Sequence, residues 1–364
     1  MAWTSEVPAP DDGPDVGAVW HYGDPLGEQR AAADSAVVVD RSHRAVLALT
    51  GAERNSWLHT ICSQHVSALP DGAVVENLSL DGQGRVEDHW LQTQLDGRTI
   101  LDTEPWRGEP LLAFLRKMVF WADVVVEPAD LAVLSLLGPA LADQPVLDAL
   151  GLSALPDEGT AVELDDGGFV RRLPGSGLEV DVVVPRSAVA GWRDKLVAAG
   201  VRPAGVWTYE AHRVAAQRPR LGVDTDERTI PHEAGWIGGP GVGAVHLDKG
   251  CYRGQETVAR VHNLGKPPRM LVLLHLDGAT DRPSPGDPLL AGGRTVGRLG
   301  TVVDHVDEGA IALALIKRGL PADTALTTGG DVQVNAAIDP DSVPPADGVG
   351  AGRLAIERLR GGAG

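Results

Sequence analysis

From Arg269 onward the chain is built from short apolar runs separated by turn-forming residues. RMLVLLHL at 269–276 is followed by the loop DGATDRPSPGD, then by TVGRLGTVVDHV and AIALALI. Runs of this length, closed by Gly, Pro and Asp, are the pattern of strands. A window made only of such strands is expected to be a separate small all-β module, a barrel covering residues 269–338.

Residues 21–268 carry a different signal, with strand patterns alternating with helical ones. AVVVDRSHRAVLALTG, from Ala36, predicts two short strands around Asp40-Arg41-Ser42, ended by Gly51. Leu58, Ile61, Cys62, His65 and Leu69 then fall on one face of a predicted helix, which makes Cys62 a core residue. Asn77 to Leu91 predicts strand, turn and strand, with Asp81-Gly82-Gln83-Gly84 as the turn. Glu87 and Asp88 follow it, and neighbouring strand residues point to opposite faces, so at most one of the two can look into a given pocket. Further strands are expected over 123–127, 131–137 and 178–184. Helices are expected over 109–120, 186–199 and 207–218, the last stopped by Pro219. Residues 1–20, rich in Pro, Gly and Asp, are expected to be a flexible leader, and 339–364 a closing segment with a flexible tail. The class is α+β, with several domains.

A chain of 364 residues with 43% hydrophobic side chains can build two or three cores. Its 50 acidic against 32 basic residues give a net charge of −18, which argues against broad binding to nucleic acid or anionic lipid. Two cysteines make neither a disulfide framework nor a metal cluster, and no apolar run is long enough to anchor the chain, so a cytoplasmic, monomeric protein is expected. The glycine run Gly238 to Gly243 lacks the Lys-Ser/Thr ending of a phosphate loop.

The chemically richest window is Asp248 to Gly265, DKGCYRGQETVARVHNLG. Lys249, Arg253 and Arg260 surround Cys251, and positive charge favours the reactive thiolate, whereas Glu256 opposes it. Gly250 and Gly254 suggest a tight backbone holding Cys251 and Gln255 at a loop rim instead of in a regular helix. Taken alone, such a lone cysteine is more often a small hydrophobe.

The string KGCYRGQE, Lys249 to Glu256, resembles the signature of the YgfZ family of folate-binding proteins, relatives of the glycine-cleavage T-protein, an aminomethyltransferase. The resemblance implies a T-protein-like ring of two mixed α/β subdomains plus a C-terminal β-barrel, and tetrahydrofolate bound between the first two domains. It implies catalytic roles for Cys251 and Asp88, with Glu87 as the second choice of carboxylate. For folate binding it implies Tyr209 and Arg213 on one helix, Glu179, Glu87, Lys249, Gln255 and Arg260, and it implies no bound metal. T-proteins carry a Gly-Glu-x-Gly-Phe-Glu pattern in which the first Glu holds the pterin; here Gly175 takes that place and only Glu179 answers to the second. The resemblance further implies support of iron–sulfur enzyme assembly or repair, with client or assembly proteins as partners. A single cysteine cannot hold a stable cluster, which needs about four ligands, so any cluster contact is transient or shared. A folate-dependent aminomethyltransferase, and a scaffold with a merely buried cysteine, are the competing readings.

Overall fold

The computed structural model describes residues 5–165, 167–174, 178–278 and 281–344. Two compact units share the chain: the first comprises Met1–Leu78, Asp88–His212 and Gly238–Gly250, the second Ser79–Glu87, Arg213–Ile237 and Cys251–Gly364.

The first unit contains two sheets. In the six-stranded one the order is Thr160–Glu163, Phe169–Arg172, Glu179–Pro185, Leu131–Leu137, Val37–Asp40 and Arg202–Ala204, with only the last pair parallel. The second sheet runs Val74–Leu80, Val86–Leu95, Arg98–Thr103, Ala45–Thr50 and Val125–Pro128. The two strands expected around Asp40-Arg41-Ser42 therefore do not form a hairpin but enter different sheets.

Alternation along the strands decides what each sheet face holds. In Glu179–Pro185, Val180, Val182 and Val184 pack with Leu134, Leu136, Trp192 and Leu196 into one core, which the helices Val189–Ala198 and Gln144–Leu150 cover. The opposite face carries Val183, which joins Val133 and Phe169 of the same sheet and Val46, Leu91 and Ile100 of the other. The far side of the five-stranded sheet is closed by the helices Arg54–Ile61 and Gly108–Met118 through Trp57, Leu58, Leu111, Leu112 and Leu115.

Two sequence expectations change here. The helix expected to carry Leu58 to Leu69 is Arg54–Ile61 and stops there, because Cys62 turns to extended backbone and the Ser63 N–H donates to the Leu78 carbonyl. The apolar spacing continues past that point because Cys62 and Val66 reach the same core from a loop. The expected leader is also ordered from residue 7: Val7–Pro8 pairs with Val19–His21, and Ala9 and Ala18 are buried with Val37, Val39 and Tyr209.

Between the two sheets of the first unit runs a line of buried charge. Arg171 sits directly opposite Asp181 in the strand register and donates to it from Nε and Nη2, while its Nη1 lies 2.5 Å from Asp102 Oδ1. Arg44 donates to Asp102 and Glu104, and Ser135 links Asp181 to Arg41. Burial would push Asp102 up, but Arg171 and Arg44 outweigh it and hold the carboxyl at about 2.

The second unit is dominated by a closed six-stranded barrel in the order Arg269–Leu276, Gly309–Lys317, Arg294–His305, Pro288–Ala291, Leu326–Thr328 and Asn335–Ile338. Val272 and Leu274 pair with Ala314 and Ala312 in register, so a large residue sits beside a small one on adjacent strands of the narrow interior. No helix among the described residues is long and apolar enough to cross a membrane.

Candidate functional site

Glu87 and Asp88 are the clearest test of strand alternation. Asp88 is buried and accepts from Nε and Nη2 of Arg107, at 2.8 and 2.6 Å, whereas Glu87 is half-exposed and accepts from Arg253 Nη1 at 2.8 Å. The two carboxylates belong to different units, Asp88 to the first and Glu87 to the second.

In the first unit the inward positions of Glu179–Pro185 put a second carboxylate, Glu179, fully inside. His212, on the helix Val206–Ala215, lies 3.5 Å from it and is 38% exposed at its side chain; Arg107, which holds Asp88, is 28% exposed. Each buried acid is thus one side chain from solvent. Tyr209, on the same helix as His212, is buried, and the Arg41 guanidinium lies 3.7 Å over its ring centroid. The pterin position assigned to Gly175 lies outside the described residues.

Lys249 is buried, and its ammonium donates to the carbonyls of His59, Cys62 and Gln64, closing the segment between a helix and a strand. That charge is therefore spent on backbone. Three imidazoles gather beside it: the His59 and His65 ring centroids are 4.7 Å apart, and those of His65 and His246 5.4 Å. Burial, helped by Lys249, pushes His59 down to about 4, and burial pushes the Cys62 thiol up. Cys62 is a core thiol.

In the second unit Cys251 is exposed on a loop that ends at Gly254. Gln255 does not sit at the loop rim: it begins the helix Gln255–Leu264, with Gly254 at φ +84° as its cap and Arg260 exposed on its side. The glycines permit a backbone contact that no other residue could make. A Cβ on Gly254 would lie 2.7 Å from the Asp81 carbonyl oxygen and 2.8 Å from the Gly84 Cα. The 81–84 turn thus braces the start of this helix, and the Glu87–Arg253 ion pair closes the same corner. Arg253 is engaged there and Lys249 on backbone carbonyls, so neither of these two is reserved for the Cys251 sulfur.

Arg213 changes its assignment. Its guanidinium donates to Asp224, to the Arg218 carbonyl and to Thr301 of the barrel, and it is buried. It is a strut tying the 218–224 turn to the barrel, not a residue open to a ligand. Sequence spacing could not reveal this, because its side-chain partners Asp224 and Thr301 are 11 and 88 positions away.

His232 has no sequence signal at all. Both its ring nitrogens are buried without a hydrogen-bond partner among the described residues, with the His262 ring centroid 6.1 Å away. Burial, with His262 adding to it, holds its pKa at about 4, below the ordinary 6.5. The folded state therefore favours the neutral ring, so its contribution is full above pH 6.5 and is lost as pH falls towards 4. The loss is at most about 3 kcal/mol. His232→Gln should flatten the decline of the thermal midpoint between pH 6.5 and 4; an unchanged profile would assign that decline to other groups.

Two α/β sheets followed by a closed C-terminal barrel are the architecture of aminomethyltransferase T of the glycine cleavage system. The enzyme from Bartonella henselae superposes with a TM-score of 0.80 over 93% of this chain and 95% of that one, at 18% identity. Residues 269–344 match the family described as CAF17, C-terminal beta-barrel domain. An aminomethyltransferase of Stenotrophomonas maltophilia (strain R551-3) is 30% identical over 234 residues, 59% of this chain and 61% of that protein. A putative chloroplastic transferase of Arabidopsis thaliana is 25% identical over 284 residues, 72% of this chain and 61% of that protein. The chain thus spans about six tenths of the length of these curated relatives.

Proposed function

We propose that this chain is a tetrahydrofolate-binding protein with a working cysteine at Cys251, acting in the assembly or repair of iron–sulfur enzymes. The observation that carries the folate reading is the pair of buried carboxylates, Asp88 and Glu179, each beneath a partly exposed cation or imidazole. A pterin presents paired N–H donors, and a carboxylate already desolvated is the acceptor that gains most from meeting them. In this reading Glu179 accepts from the ring N–H groups, Asp88 holds negative charge near the reduced ring, and Tyr209 supplies a flat wall. Bound tetrahydrofolate would supply a secondary amine able to carry a one-carbon unit. Arg107 holds the Asp88 carboxylate in place, and His212 lies against that of Glu179.

The similarity to aminomethyltransferases favours a second reading, folate-dependent aminomethyl transfer of the glycine-cleavage kind. Incubation with tetrahydrofolate and an aminomethylated lipoyl carrier protein separates the two. The iron–sulfur reading expects no methylenetetrahydrofolate above background, and catalytic formation of it would replace that reading by the transferase.

A further inference from the structure

One end of the barrel in the second unit holds a cavity of about 650 Å³, within the range of small-molecule sites. Met270, Leu320, Val343 and four prolines make its apolar wall, and among the described residues its only charged side chains are Lys266 and Arg318. Acids outnumber bases 50 to 32 in this chain, so a wall whose described residues include two cations and no acid runs against the composition. Neither cation has an ion-pair partner among the described residues. Prolines fix the backbone of the wall before anything binds, which lowers the ordering cost of binding, while Met270 can adapt to an irregular shape.

We propose that this barrel end binds a small anionic amphiphile: an apolar body seated against Met270, Leu320 and Val343, with its acidic head between Lys266 and Arg318. Arg318 offers a planar fork to a carboxylate or phosphate, and Lys266 a second, mobile charge. The apolar body supplies most of the affinity through burial, and the two cations supply selection for charge.

Fluorescence titration of the full chain with 8-anilinonaphthalene-1-sulfonate tests this directly. One saturable site is expected. Decanoate and decyl phosphate, below their micellar concentrations, should both displace the dye, the stronger competitor fixing the preferred head group, while decyltrimethylammonium should not. Lys266→Ser combined with Arg318→Ser should weaken dye binding about fivefold or more at an unchanged thermal midpoint. Equal displacement by the cationic amphiphile, or no saturable dye binding, would overturn the proposal, and these competition results do not depend on the double variant folding.

Discussion

Replacing Arg171 by methionine is expected to destabilise the protein by about 3–5 kcal/mol, a large fraction of the margin that keeps a domain folded. Arg171 is fully buried between two carboxylates, Asp102 and Asp181, and burial alone would lower its pKa, yet these two acids hold it well above the ordinary range. Methionine fills much of the volume but leaves Asp181 without its bidentate donor and Asp102 with Arg44 alone. The damage comes from the stranded acid more than from lost attraction, because a buried ion pair gains little over an apolar pair of the same shape. Arg171→Met with Asp181→Leu should therefore recover much of the loss. Thermal unfolding of the two variants decides it: a midpoint drop of roughly 10 °C for the single change, partly restored in the double, is the expected pattern. A single variant as stable as the parent would mean that water reaches these charges.

Cys251→Ser should have the opposite profile, a full loss of function at unchanged stability. The side chain is exposed, so exchanging sulfur for oxygen costs little in folding. A hydroxyl has neither the nucleophilicity nor the metal affinity of a thiolate at neutral pH. In cells lacking the protein, the serine variant should fail to restore iron–sulfur enzyme activity while accumulating to the parental level. Gly254→Val is the matching structural control: its Cβ would meet the Asp81 carbonyl and the Gly84 backbone, so it should lower stability as well as activity. Full rescue by the serine variant would remove Cys251 from the working site.

What the sequence made legible was what repeats locally. The strands of the barrel and the strand in LEVDVVV follow from short apolar runs bounded by turn residues, and the opposite facing of Glu87 and Asp88 from a period of two; the structure contains each of them. What escaped were commitments made over long separations. Arg213 looks like a ligand residue on a helix face until Asp224 and Thr301 are seen to take its donors. Lys249 looks like a charge beside a cysteine until three carbonyls of the 59–64 segment claim it. Ala9 and Ala18 anchor the N-terminal ribbon, and an alanine in a Pro- and Gly-rich stretch carries no signal of burial. The Gln255 helix was hidden by the glycines before it, which cap the helix instead of breaking it.

Uptake of reduced folate by the first unit, through its buried carboxylates, is tested most directly by calorimetric titration of the full chain with tetrahydrofolate, repeated on Glu179→Gln. One saturable site, weakened about tenfold by the loss of a single charge-assisted acceptor, is the predicted result. No binding heat with the parent protein, or the same affinity in both, would contradict it.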